Sequence, residues 1–377
     1  MALRYRVFWW IFAALLSACT AKPLDPKFIP QGNPKTLEEW GQVSFSGGKL
    51  RLGPGVIAYD LATPLFTDYA HKLRTIWMPS QTAAAYQQDD VLDFPVGTVI
   101  TKTFYYPKSS DTSEAVAKVS DTSADLVNGA LDTAKIRLIE TRVLVRRLDG
   151  WAAIPYRWNR EQTQALLHRT GDIIPLALED PWGIQVDFNY VIPNANQCAS
   201  CHATDSNNRV IEPIGPKVRH LNKPYSYQAG VDNQVDFMIE MGRLFRAPAA
   251  DNWSKNASDS DTSASLEGRA RAYLDINCSH CHSKKGPADT SGLHLESHTR
   301  YGPALGICKL AIAAGRGTGN RLHDIVPGKP AQSILIYRMQ STQPDAMMPE
   351  IGRSLAHVEG VDLISKWVSA MTGGCDA

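Results

Sequence analysis

Between Lys35 and Trp158 the chain is built of short β-branched and aromatic runs, each cut by Gly, Pro or Asp. VIAYDLATPLF, KLRTIWMP, VLDFPVGTVITKTFYYP and IRLIETRVLVRRLDGWAAIPYRW are the plainest of them. Side chains of this kind pack well on a pleated surface, so the pattern predicts a β-rich region. Asp149-Gly150 falls between two such runs where a hairpin turn belongs, the glycine being free to take a positive φ. From Pro107 to Ile136 the pattern lapses into a polar stretch rich in Ser, Thr, Ala and Asp. It reads as an insertion without chemistry, either a mobile excursion or an exposed helix.

After residue 250 the period changes. DNWSKNASDSDTSAS, Asp251 to Ser265, is polar and reads as a linker. Beyond it, LEGRARAYLDINC brings Leu266, Ala270, Tyr273, Leu274 and Asn277 near one helical face. VEGVDLISKWVSAM aligns Val361, Ile364, Val368 and Met371, with Trp367 beside them. Two amphipathic helices therefore bracket the C-terminal block. The expected fold class is α+β: a β-rich domain over residues 35–250, a linker over 251–265, and a small all-α domain over 266–377.

The first residues do not fit a domain. Arg4 and Arg6 precede an uncharged apolar run from Val7 to Leu16, too short for a membrane span and laid out as a secretory signal over residues 1–18. The run ends in Leu16-Ser17-Ala18-Cys19, which resembles a lipobox, with Cys19 as the acylated anchor and residues 19–34 as a tether. A plain signal peptide with an incidental cysteine is the alternative. Removing Arg4 and Arg6 takes the 39 basic side chains to 37, against 38 acidic ones. That balance offers nothing to nucleic acid or to an anionic membrane surface, so any membrane attachment rests on lipid. The expected location is the periplasmic side of a bacterial membrane, the outer membrane favoured over the inner.

Seven cysteines are present, and four lie in two pentapeptides, Cys198-Ala199-Ser200-Cys201-His202 and Cys278-Ser279-His280-Cys281-His282. On one helical turn two thiols three positions apart can both reach the vinyl groups of one porphyrin, and the following histidine faces the iron. Two matches behind an export signal support each other, because covalent haem attachment takes place outside the cytoplasm. The cofactors expected are two covalently bound haem c groups, held by Cys198 and Cys201 and by Cys278 and Cys281, with His202 and His282 as iron ligands. A four-cysteine zinc site would not need a histidine after each pair, and no βαβ pattern supports a thioredoxin-like role.

The sixth ligands are unequal. Met347-Met348-Pro349 follows His282 at a distance that lets a thioether close the far side of the second haem, both methionines as core filler being the alternative, and Met348 is the expected ligand because the residue next to the proline resembles the Met-Pro ligand loop of small cytochromes c. For the first haem His220, Met238, Met241, His71, Met78, His168 and no protein ligand all stay open. An open position would let that haem bind small ligands such as peroxide, whereas a filled one carries electrons. Leu293 and Leu295 are candidates for a haem-pocket wall, with His294, His298 and His280 read as solvated. Cys308 and Cys375 are left over in an oxidising compartment, and a disulfide between them is expected, two unrelated thiols being the alternative.

Residues 266–377 resemble a class I cytochrome c domain, with a cysteine motif ending the first helix, IVPGKPAQSILIYRM in the middle, MMP as ligand loop and a closing helix holding Trp367. Much of the chain, from about Lys35 to Cys375, is similar to a little-characterised family of bacterial diheme c-type cytochromes, often encoded beside a parallel β-helix repeat protein. The residues carrying this are YDLATPLFTDYAHK, FPVGTVITKTFYY, ETRVLVRRLDGW, YRWN, NQCASCH, IEPIGPK and DINCSHCH. The two haem motifs make an electron-transfer protein with an exported redox partner the leading expectation; the resemblance supplies no firm activity and adds the β-helix protein to the possible partners. A diheme, peroxidase-like oxidoreductase open at the Cys198/Cys201 haem is the main alternative. A binding module whose β-region recognises carbohydrate or protein is the third.

Overall fold

The computed structural model describes residues 24–110, 114–203, 205, 207, 210–312 and 315–375. The expected signal over 1–18 and Cys19 lie outside the described residues. Among the described residues no helix is long and apolar enough to cross a membrane.

The β-branched runs pair into a six-stranded antiparallel sheet in the order Ala165–Leu167, Gly150–Trp158, Ile136–Arg147, Val99–Pro107, His71–Trp77, Ile57–Tyr59. The hairpin expected at Asp149-Gly150 joins Ile136–Arg147 to Gly150–Trp158, with Arg147 opposite Gly150 and the glycine at φ 128°. One face buries Trp40, Tyr105, Val143, Ile154 and Tyr156. Trp40 Nε1 donates to the Tyr156 hydroxyl at 2.8 Å, so the aromatic core leaves that polar atom satisfied. The opposite face is apolar only at its two ends. Ile76 and Ile100 pack under Val218, Leu221 and Met238, while Phe104 and Tyr106 pack on Phe188 and Tyr190 of the hairpin Asp172–Glu179 and Gln185–Ile192. The polar stretch between Pro107 and Ile136 forms no helix among its described residues. It contributes short strand pieces, and its Asp125 accepts from both His71 and Tyr105.

Six α-helices are described: α1 Ala195–His202, α2 Val218–Leu221, α3 Gln234–Glu240, α4 Leu266–Cys278, α5 Ile334–Gln340 and α6 Val358–Ala370. The helices α4 and α6 stand where the periodicity puts them, and Ala270, Tyr273, Leu274, Val361, Ile364 and Trp367 share one core. Gly360 allows their close approach, since an added Cβ would run into the Tyr273 ring.

The expected all-α class I cytochrome c-like domain is corrected by the structure. The described chain is β-rich, 29% strand against 21% helix, and no all-α cytochrome c domain is evident in it. Between α4 and α5 the chain runs through isolated 3-10 turns and single bridges such as Ile307–Ile325 and Leu310–His323. The reason is in the residues: Gly286, Gly292, Gly302, Gly306, Gly315, Gly317, Gly319 and Gly328 alternate with Pro287, Pro303, Pro327 and Pro330. Glycine gives up helix stability and proline removes a donor, so no α-helix propagates there among the described residues. Two flanking amphipathic stripes do not make the interval between them helical.

The boundary segment 251–265 is tied down on both sides. Thr63 Oγ1 donates to the Ala257 carbonyl at 2.9 Å, and Asn256 Nδ2 donates to Asp275 at 2.8 Å. Asp68 accepts from the backbone of Ser354 and Leu355. Phe66 N donates to Asn277 Oδ1 at 2.8 Å. These bonds hold the C-terminal block against the β-rich part, and the two cysteine motifs meet in the space between them.

Candidate cofactor site

Helix α1 exists because of its start. Asn194 Oδ1 accepts from Gln197 N and Gln197 Oε1 accepts from Asn194 N, both at 2.9 Å, a reciprocal cap that holds a helix of only eight residues. Cys198, Cys201 and His202 lie on its last turns. Below it, the Glu212 carbonyl meets His202 Nδ1 at 2.8 Å. Helix α4 is capped by Ser265 and ends at Cys278, after which Cys281 N and His282 N both donate to the Cys278 carbonyl. His282 Nδ1 meets Ser291 Oγ at 3.2 Å. In both motifs Nδ1 is thus engaged, which orients the ring and leaves Nε2 as the nitrogen for an iron.

A cavity of about 410 Å³ opens beside the second motif. Its lining includes Cys278, Cys281 and His282, together with Met348 and Pro349 and the apolar Leu293, Leu295, Leu335 and Met339. That volume falls within the roughly 300–1,000 Å³ of small-molecule sites. The two methionines part company here: Met348 lines the cavity and Met347 does not. Met348 is clamped at its backbone, N donating to the Arg338 carbonyl at 2.9 Å and O accepting from Arg353 Nη2 at 2.8 Å. Two thiols, a histidine with a free Nε2 and a thioether around one apolar cavity are a donor set that fits a covalently held haem.

Ser200 and Cys201 of α1 line the same cavity, and Cys281 Sγ stands 4.0 Å from the Ser200 carbonyl across 81 residues of sequence. The two pentapeptides therefore abut. His280 of the second motif is half-buried and not solvated as expected, with Nδ1 buried and unpartnered among the described residues. Its pKa falls to about 3, through burial first and the neighbouring charges of His202 and Lys102 next. Burial also lowers His202 and His282 to about 4, and raises the Cys278 and Cys281 thiols to about 12. Among the described residues no group of three or more His, Cys, Asp or Glu is gathered to hold a metal ion, so the four thiols do not converge as a zinc site requires.

The other expected residues are scattered. His71 is engaged at both ring nitrogens, Met78 and Met238 are core, Met241 is exposed, and His168 meets the Gly171 carbonyl. His220 is buried, with Nε2 2.9 Å from Asp275 Oδ2. His298 is exposed and His294 half-buried. Cys308 and Cys375 are joined as a disulfide, 67 residues apart. Sequence reasoning put His280 in solvent and did not single out the clamping Arg353. No spacing signal marks either, since both matter only once the two halves of the chain meet.

No protein-family model, no curated protein and no solved structure matches this chain.

Proposed function

We propose that the protein is an exported, lipid-anchored diheme c-type cytochrome that carries electrons to or from an exported redox partner. The observation that carries this reading is the abutment of the two cysteine motifs, Cys281 Sγ lying 4.0 Å from the Ser200 carbonyl. Groups attached to Cys201 and Cys281 would be neighbours, as an electron relay requires, whereas two unrelated attachment sites would have no need to touch. Haem iron would supply the reversible one-electron chemistry, its potential raised where a thioether completes the coordination.

The chain's own part is positioning. Cys198 and Cys201, with Cys278 and Cys281, would fix each group at one edge, and His202 and His282 would present Nε2 to the metals. Met348 would close the second site, kept in place by Arg353. Leu293, Leu295 and Leu335 would exclude water from that site and so favour the less charged, reduced state. The N-terminal segment and Cys19 support export and lipid attachment, and the resemblance to bacterial diheme cytochromes agrees with both.

A specific observation favours the peroxidase-like alternative: the six protein ligands weighed for the first haem are engaged, core or exposed elsewhere. Absorption spectra in both oxidation states, with and without carbon monoxide or peroxide, separate the two readings. Two low-spin haems indifferent to both reagents support the electron carrier. A high-spin haem that takes up carbon monoxide supports an enzyme. A protein purified without haem refutes both.

A further inference from the structure

The middle of the large sheet's second face carries charge where its two ends carry core. The register sets Arg74 opposite Lys102, and Lys102 opposite Arg142, so three cations stand side by side on three neighbouring strands. One row along, Lys72 stands opposite Phe104 on the same face. Lys72, Lys102 and Arg142 all gather over the Phe104 ring, at 5.6, 5.4 and 4.4 Å from its centroid.

The carboxylates nearby are already committed. Glu140 is fully buried and takes two bonds from Arg142 and one from the Tyr190 hydroxyl. Asp60 takes Arg74 Nη1 at 3.0 Å and Lys223 Nζ at 3.0 Å. Arg74, its side chain only 5% exposed, is left with Nη2 buried and unpartnered. The Lys102 amine makes no hydrogen bond or ion pair among the described residues beyond its place over Phe104. Burial, with Arg142 next to it, brings its pKa down to about 7. A partly buried row with more cations than carboxylates is costly unless an anion completes it.

We propose that Arg74, Lys102 and Arg142 form an anion-binding row that takes a carboxylate or small oxyanion beside the first cysteine motif. Helix α1, which carries the first cysteine motif, packs against Gly150–Trp158, the strand next to the one that holds Arg142. The anion has two possible sources of the same chemistry. One is a propionate of the haem held at Cys198 and Cys201, which rests on the function proposed above. The other is a free oxyanion from solution, which does not.

The test uses the full chain as purified, in wild type, Lys102→Met, Lys102→Arg and Arg74→Gln forms. Two readouts are taken: the reduction midpoints of the bound haems, and the Tm in phosphate against chloride at matched ionic strength. If the anion is a propionate, Lys102→Met lowers one midpoint and leaves the other, Lys102→Arg restores it, and phosphate changes no Tm. If it is a free oxyanion, phosphate raises the wild-type Tm saturably, and Lys102→Met and Arg74→Gln abolish the rise. The wild-type phosphate titration stands even if a variant does not fold. Unchanged midpoints together with a phosphate-indifferent Tm overturn the row as an anion site. Absence of haem overturns the function proposed above, and the phosphate titration then decides the row alone.

Discussion

Arg219 and Asp275, 56 residues apart, meet in a two-point ion pair, Nε to Oδ2 at 2.6 Å and Nη2 to Oδ1 at 2.8 Å, with side chains 3% and 0% exposed. The pair joins α2 of the β-rich part to the helix that carries the second cysteine motif. Asn256 Nδ2 and Ser279 Oγ add bonds to the same carboxylate. A carboxylate so fully bonded ties the two halves of the chain in one geometry, and the abutment of the cysteine motifs depends on that geometry.

Removing one partner would strand the other charge. Asp275→Ala is expected to destabilise the protein by about 3–5 kcal/mol, because Arg219 is left buried and unpaired. The double substitution Asp275→Ala with Arg219→Met should cost less than the sum of the single changes. Urea unfolding of the four proteins checks this. Additive costs would mean the pair is not coupled.

Acid acts through His357. Its ring stacks on Phe66 at 4.3 Å between centroids, and Nδ1 meets the Tyr273 hydroxyl at 3.0 Å. Burial lowers its pKa from 6.5 to about 4, only partly offset by Glu359. The unfolded chain therefore binds a proton before the folded one does. Stability contributed by the neutral ring is complete above about pH 6.5, declines as pH falls, and is lost by about pH 4, a change of up to about 3 kcal/mol. Unfolding of wild type and His357→Phe across pH 7 to 4 should show a shallower decline in the variant, and parallel curves would rule His357 out as the source. Asp275 acts lower: burial would raise its carboxyl, but the bonds from Arg219 and His220 hold it well below the usual range, so its contribution goes only as pH falls below about 4.

The Cys308–Cys375 bridge closes the chain end onto the C-terminal core, where Cys308 packs. Reduction, or Cys375→Ala, is expected to cost about 2–4 kcal/mol by freeing the unfolded chain. The shift in Tm under reductant, absent in the alanine variant, measures it.

The two adjacent methionines offer a paired test of the second site. Met348 lines the cavity and Met347 does not. Met348→Ala should remove the sulfur-to-iron absorption band and lower that haem's potential, while Met347→Ala should leave both nearly unchanged. A band that survives in Met348→Ala but not in Met347→Ala would reverse the assignment.

How much of this was legible beforehand depended on whether the signal was local. The hairpin at Asp149-Gly150, α4 and α6 follow from periods and turn chemistry within a dozen residues, and they stand where expected. The all-α reading of residues 266–377 failed because it generalised from two flanking helices across an interval whose glycines and prolines forbid a third long one. Each cysteine motif was visible alone, but the contact of Ser200 with Cys281 was not, since it depends on buried polar pairs such as Arg219–Asp275. The cation row was hidden for a similar reason. Arg74, Lys102 and Arg142 sit in three separate runs, and only strand register makes them neighbours.

If both pentapeptides carry haem, the mass of the denatured chain records it. The protein is to be produced in a host that exports it and attaches haem. The wild type should be heavier than its polypeptide by two haem groups, and replacing Cys198 and Cys201, or Cys278 and Cys281, by alanine should remove one group each. A denatured wild-type chain at the bare polypeptide mass, apart from processing and lipid at its N-terminus, would contradict the account.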